Sequence, residues 1–340
     1  MKKALAYLAV AVLVLVVLGV AGTFLLPRVV VVERSVHVDR PPCTVFAMVN
    51  GFGRFNEYSP WARLDPATKY TFSGPAEGPG AAMAWSSDDP SVGNGAQDVV
   101  ASHACESVEV ALHFEGMSDA AVAWKLTPKD GGTDVTWSMT SDMGNNPIGR
   151  VMGTQLDGMI GPDYEKGLAS LATLVAALPP TDFAGLEVER VEVPAVTVAK
   201  LSTTAAKDPM AVGAALGMSY AKIRDTLTAA GLVQSGSPRA AYRTEGTQYA
   251  MDVMLPFTGT PSAPPADPAV SLVDGFTGPA LKVVHRGATM GLSETVAKLD
   301  AWAAARAVKV GDGRWEEYLS DPSLVAEPDL QTAIYLPLAP

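Results

Sequence analysis

The chain has 340 residues, 48% hydrophobic and 18% charged, with a formal net charge of −11. That length suits two domains, and the composition supports a sizeable core and excludes global disorder. Nucleic-acid binding rests on Lys and Arg neutralising phosphates. With no basic run beyond Lys2-Lys3, this acidic chain is a poor candidate for it and suits neutral or cationic ligands better.

In chain order, Lys2 and Lys3 precede an uninterrupted apolar run from Ala4 to Leu26, ended by Pro27-Arg28. The run is long enough for a membrane-spanning helix and longer than the apolar centre of a secretory signal peptide. Residues 1–28 are therefore predicted to form an N-terminal transmembrane helix. The positive-inside rule puts Lys2 and Lys3 in the cytoplasm. A bacterial chain would then be a single-pass inner-membrane protein with its soluble domains in the periplasm, although Arg28 and Arg34 on the other flank work against that orientation.

Val29 to Val38 is β-branched and reads as a strand, stopped by Asp39-Arg40-Pro41-Pro42. Proline is tolerated in a first helical turn, so a short helix follows from Cys43 to Val49. Gly51 to Pro60 is a loop or a second short helix. The two cysteines, Cys43 and Cys105, make neither a disulfide framework nor a zinc motif. Two buried free thiols are the plainer reading; one bridge in an oxidising compartment is the other.

From Thr68 to Met143 short β-like runs recur between turn signals: 69–73, 82–86, 96–103, 108–115, 121–126 and 135–140. Leu156 to Leu178 then has a helical apolar rhythm and ends at Pro179-Pro180. Six antiparallel strands and one long helix make an α+β layer with space for a pocket between them. Trp85, Trp124 and Trp137 lie on strands, as core or as pocket lining. His103 and Cys105 share a strand face with His113 on the next strand, but a fourth zinc ligand is not evident. No metal and no cofactor are expected.

Several fragments carry a resemblance: Glu33-Arg34-Ser35, Arg40-Pro41-Pro42 before Val45-Phe46, Ser59-Pro60-Trp61, Gly74-Pro75, and Gly131 to Trp137. In this order they resemble the START-like helix-grip (SRPBCC, polyketide cyclase-like) superfamily. The resemblance implies a domain over 29–180 that wraps a sheet round its C-terminal helix and holds hydrophobic molecules.

After Pro179-Pro180 the pattern restarts. A strand pair within 186–201 leads to a helix from about Met210 to Ala230, then strands near 239–244 and 248–256. A proline-rich loop follows to Pro268. The order repeats with strands 270–273 and 280–285, a helix over 292–305, and strands 314–319 and 332–337. Two β-α-β-β copies predict a pseudo-twofold duplicated domain over 181–340. Val283 to Gly287, Trp315 to Pro322 and Thr332 to Leu338 together resemble the GyrI-like effector-binding domain. Its Glu-x-Tyr and Asp-Pro motifs match Glu316, Tyr318, Asp321 and Pro322. The usual Pro-Tyr after the His-x-Gly is replaced by Ala288-Thr289.

On a strand, Glu316 and Tyr318 face one side and Trp315 and Glu317 the other. A carboxylate in an apolar cleft has a raised pKa unless a cation enters. Glu316 and Tyr318 are therefore the first candidates for ligand contact. His285 is a further candidate, or a satisfied structural histidine, and Tyr220, Tyr242 and Trp302 either line the same cleft or pack in the core. Nothing matches an α/β-hydrolase elbow, a phosphate loop or a helix-turn-helix. The leading expectation is a membrane-anchored binder of hydrophobic or cationic small molecules. A hydrolase using Glu316 as base and a protein-interaction module of the gyrase-inhibitor type are the alternatives.

Overall fold

The computed structural model describes residues 2–115 and 119–339, for residues 2 and 4–6 the backbone alone. The apolar N-terminal run forms helix α1 (Lys2–Thr23). Its Leu8, Leu13, Leu15 and Leu18 are each more than 60% exposed, so they have no core to join. Among the described residues no helix is long and apolar enough to cross a membrane. The span expected over 4–26 takes in residues 4–6, whose side chains lie outside the described set.

The chain divides into two compact units, 1–184 with 304–307, and 185–303 with 308–340. After α1 the first unit runs β1 (Val29–Val38), α2 (Pro42–Val49), α3 (Phe55–Tyr58), β2 (Lys69–Ser73), β3 (Ala82–Ser86), β4 (Asn94–His103), β5 (Ser107–Phe114), β6 (Ala120–Lys129), β7 (Gly132–Asp142), α4 (Pro147–Gly153) and α5 (Leu156–Ala176). Its sheet is antiparallel in the order β1-β7-β6-β5-β4-β3-β2. The six runs read from sequence are all present, and β2 and β3 have the limits read for them. Helix α4 was not foreseen. It starts where the Asn146 side chain accepts from the Ile148 N–H, with Pro147 at the first position.

Helix α5 buries Tyr164, Gly167, Leu168, Leu171 and Val175, an apolar stripe at helical spacing. Residues of the sequence fragments hold it in place. Arg34 on β1 donates to Asp157 and Glu165 at 2.8 and 2.7 Å. Its guanidinium crosses α5 at Gly161, a position where any Cβ would collide with it. Arg40 Nε donates to the Leu178 carbonyl at 2.9 Å, beyond the last turn of α5.

Cys43 and Cys105 are joined by a disulfide across 62 residues of sequence, with 4.4 Å between their Cα atoms. This corrects the plainer reading of two free thiols. Cys105 does not lie on a strand. It sits in the β4–β5 turn with φ of 62°, and the turn meets the first turn of α2.

The second unit runs β8 (Glu189–Val193), β9 (Thr197–Ala206), α6 (Pro209–Ala229), β10 (Val233–Gln234), β11 (Arg239–Glu245), β12 (Gln248–Thr258), β13 (Val270–Asp274), β14 (Gly278–Arg286), α7 (Leu292–Ala305), β15 (Trp315–Tyr318) and β16 (Gln331–Pro337). The sheet order is β13-β9-β12-β11-β15-β16-β14-β8, with β10 paired to β12. Matching β8 to β13, β9 to β14, β11 to β15 and β12 to β16 turns this order into its own reverse, the signature of a pseudo-twofold duplication. The axis passes between β11 and β15. The first strand of each copy pairs in the other copy's half: β8 with β14, and β13 with β9. Both helices cover one face. Ile223 and Leu227 of α6 pack with Met251 and Val253, and Leu299 and Ala303 of α7 with Leu281 and Ile334.

Candidate functional site

In the first unit the sheet and α5 enclose a cavity of about 170 Å³. No charged side chain is among its lining residues. Its floor is a stack of three rings: Trp124 on Trp137 at 4.4 Å, and Trp137 on Tyr164 at 4.0 Å and 9°. Tyr58 stands edge-on to both indoles at 6.0 and 6.4 Å, and Trp61 edge-on to Trp137 and Tyr164. Trp85 and Phe114 meet edge to face at 5.8 Å near the rim, where the Trp85 indole donates to the Val92 carbonyl. Buried Gln97 adds one amide to the wall. Two lining residues, Ser59 and Trp137, keep a buried polar atom (Oγ and Nε1) with no hydrogen-bond partner among the described residues. Burial pushes the Tyr58 and Tyr164 hydroxyls up, so both stay neutral hydrogen-bonding groups.

All three strand tryptophans singled out in the sequence, Trp85, Trp124 and Trp137, line this cavity. Alternation placed them on the inward face without separating core from lining. Tyr58, Trp61 and Tyr164 were not identified as lining. The signal that could have found the first two is the Ser59-Pro60-Trp61 fragment, which folds these aromatics under the sheet.

In the second unit Glu316 lies at the seam of the two copies, paired with Ala240 of β11 and Ile334 of β16. It faces the helix side. Tyr242 donates to Tyr318 at 2.5 Å, and Tyr318 donates to Glu316 Oε2 at 2.9 Å. Tyr220 of α6 donates to the Arg239 carbonyl at 3.0 Å beside them. Burial raises the Glu316 pKa, against the pull of the Tyr318 hydroxyl and the positive Arg314. Burial first, and the neighbouring acidic groups second, push Tyr220, Tyr242 and Tyr318 well above the usual phenol range. Among the described residues no ion pair neutralises Glu316. Glu317, on the other face, has Arg239 at 3.2 Å, and Trp315 stacks there on Tyr335 at 4.7 Å.

Glu316, Tyr318 and Tyr242 are thus brought together. Tyr220 of α6, the further aromatic offered for this cleft, belongs with them. His285 lies in the same cross-strand row as Tyr318, two strands away with buried Thr332 between them. Both its ring nitrogens are used in the turn before α7, one with Thr295 Oγ1 at 2.8 Å and one with the Ala288 carbonyl at 3.0 Å. Trp302 packs in the α7 half of the core with Leu299 and Ala303. Neither is part of the Glu316 cluster.

Residues 29–176 match the family model for polyketide cyclase / dehydrase and lipid transport proteins, and residues 186–339 match the model of the GyrI-like small molecule binding domain. No curated protein matches the chain. Among solved structures the chain is similar to the EcmrR C-terminal domain, at 12% identity over 46% of this chain and 98% of that one, with a TM-score of 0.41. It is similar to a hydrolase from Listeria innocua, at 17% identity over 45% and 92%, TM-score 0.34. Protein Ms6760 from Mycobacterium smegmatis is another, at 14% identity over 44% and 92%, TM-score 0.32.

Proposed function

The chain joins a polyketide cyclase / dehydrase and lipid transport domain to a GyrI-like small molecule binding domain, and we propose that it is a membrane-anchored binding protein for apolar and lipophilic-cationic small molecules. One observation carries the reading: the uncharged, aromatic-walled cavity of about 170 Å³ in the first unit. An apolar cavity of ~150 Å³ holds benzene, whereas drug-sized pockets begin near ~300 Å³. The fitting ligand is therefore a one- or two-ring planar molecule. Ser59 and Trp137 each hold an unmet donor, so a ligand with one acceptor group is favoured over a pure hydrocarbon. Titration of the full chain with 1-naphthol, followed by tryptophan emission, tests this. Binding is expected in the parent and lost in Val122→Trp, which fills the cavity; equal binding by the variant would overturn the reading.

The second unit supplies the preference for cations. A largely buried carboxyl with no ion-pair partner among the described residues is costly when ionised and gains from a cation that enters beside it. Tyr242, Tyr318 and Tyr220 add ring faces suited to a lipophilic cation. The same pair supports a second reading, a hydrolase in which Glu316 activates water and Tyr318 donates to the substrate. Glu316→Gln separates the two: turnover lost with binding retained favours the hydrolase, and loss of cation binding favours the binder.

Two features support the anchor. The apolar run from Ala4 to Leu26 has 23 residues, against the roughly 20 needed to span a hydrocarbon core of ~30 Å. The Cys43–Cys105 disulfide suits an oxidising compartment, which supports the reading of soluble domains outside the cytoplasm.

A further inference from the structure

Register fixes which end of the first unit the cavity occupies. α1 hands over to β1 at Val29, which pairs with Asp142 at the end of β7. Across the ladder from there, the same sheet end carries Ala120, Phe114, Gly95, Trp85 and Tyr70, strand by strand. Tyr70, Trp85 and Phe114 line the cavity and keep part of their surface exposed, as does Ile160 of α5. The opposite end is solid core, where Val99, Val108, Leu126 and Val135 are at most 4% exposed. The partly open side of the cavity and the exit of α1 therefore share one end of the unit.

That end also carries apolar side chains with nothing over them. Ile148 and Met152, one turn apart on α4, are 70% and 60% exposed; Met159 on the first turn of α5 is 62% exposed and Leu25 90%. Single exposed apolar residues are ordinary, but a run of them on one elbow marks a contact surface. The elbow is fastened to α1. The buried Arg150 donates to the Phe24 and Leu26 carbonyls at 2.9 and 3.2 Å and stands 5.1 Å from the Phe24 ring. Wherever the end of α1 goes, α4 goes with it.

We infer that the α4–α5 elbow is a second membrane contact, in which Ile148, Met152 and Met159 sit in the interfacial layer of the bilayer and turn the cavity mouth toward the lipid surface. The inference rests on the reading of α1 as a membrane anchor. The surface it meets is zwitterionic lipid. Asp88, Asp89, Glu115 and Asp119 lie on the neighbouring hairpins, where an anionic leaflet would repel them, so the contact is apolar and insensitive to salt. Ligands that concentrate in the bilayer then enter the cavity without crossing bulk water.

The test uses the full chain in phosphatidylcholine vesicles that carry a nitroxide-labelled lipid. Both native cysteines are tied in the disulfide, so single added cysteines accept an environment-sensitive fluorophore. The sites are Leu15→Cys in α1, Ile148→Cys and Met152→Cys on the elbow, and Lys129→Cys at the closed end of the sheet. Labels at 15, 148 and 152 are expected to lose at least half their emission to the lipid quencher, equally at low and high salt, while 129 is unchanged. Quenching at 15 with 148 and 152 behaving like 129 overturns the elbow contact and leaves the anchor standing. No quenching at 15 overturns both.

Discussion

The Tyr318 hydroxyl donates to Glu316 Oε2 at 2.9 Å, two residues along the same strand, and takes a hydrogen bond from Tyr242 in turn. The carboxyl is thus held at the end of a relay of phenols and not by a cation. A group so placed responds to pH and to charge in ways that can be measured.

Because burial raises its pKa, Glu316 binds its proton more tightly in the folded chain than in the unfolded one. That contribution to stability is complete below the ordinary glutamate range and is lost as pH rises through the folded-state value. Glu316→Gln has no such group, so it gains on the parent as pH rises. Urea unfolding at pH 4 and pH 8 should show the variant relatively more stable at the higher pH. The same variant should bind tetraphenylphosphonium at least tenfold more weakly at pH 8.

Tyr318→Phe removes a hydrogen bond that favours the ionised carboxylate. Loss of a bond to a charged group costs about 1.5–3 kcal/mol, and the Glu316 pKa should rise further. The pH midpoint of tetraphenylphosphonium binding, followed by calorimetry, is expected to move upward in Tyr318→Phe and much less in Tyr242→Phe, whose hydroxyl reaches the carboxyl only through Tyr318.

In the first unit, a Cβ at Gly167 would come 2.7 Å from the Trp137 ring and 3.4 Å from Pro60. Trp137 is held between Trp124 and Tyr164 and has no free direction except toward the cavity. Gly167→Ala should destabilise by about 1–3 kcal/mol, the usual range for overpacking. It should also weaken 1-naphthol binding at least tenfold, as read by tryptophan emission.

The Cys43–Cys105 bridge closes a loop of 62 residues, worth about 4 kcal/mol by the chain-entropy relation. Melting of the full chain with and without dithiothreitol, or of a Cys43→Ser and Cys105→Ser double variant, should show a loss of that order, with the second unit's transition unmoved.

Local patterns were legible where they were periodic. The limits of β2, β3 and α7 follow from alternation, turn residues and a four-residue apolar rhythm. Strand alternation put Glu316 and Tyr318 on one face, and the GyrI-like resemblance singled the pair out. What escaped depends on distance in sequence. Nothing near Cys43 says that the turn at Cys105 will meet it. His285 could be read as cleft lining or as a satisfied structural histidine, and the partners that decide for the second, Thr295 and the Ala288 carbonyl, are assembled only when the chain turns into α7. The three strand tryptophans were placed on the right face, but inward-facing core and cavity lining share one alternation. Only the packing of α5 separates them.

The exchange of first strands in the second unit has a consequence for synthesis. β8 leaves the ribosome early, yet its pairing partner, Gly278–Lys282 of β14, is made almost ninety residues later. Until then Glu189–Val193 is an unpaired edge, and the first copy, even when fully translated, still lacks the β13 that will flank β9. Neither copy can close its sheet alone. The duplicated domain therefore commits in one late step, and a truncation anywhere before β14 should leave an aggregation-prone chain and not half a binding domain.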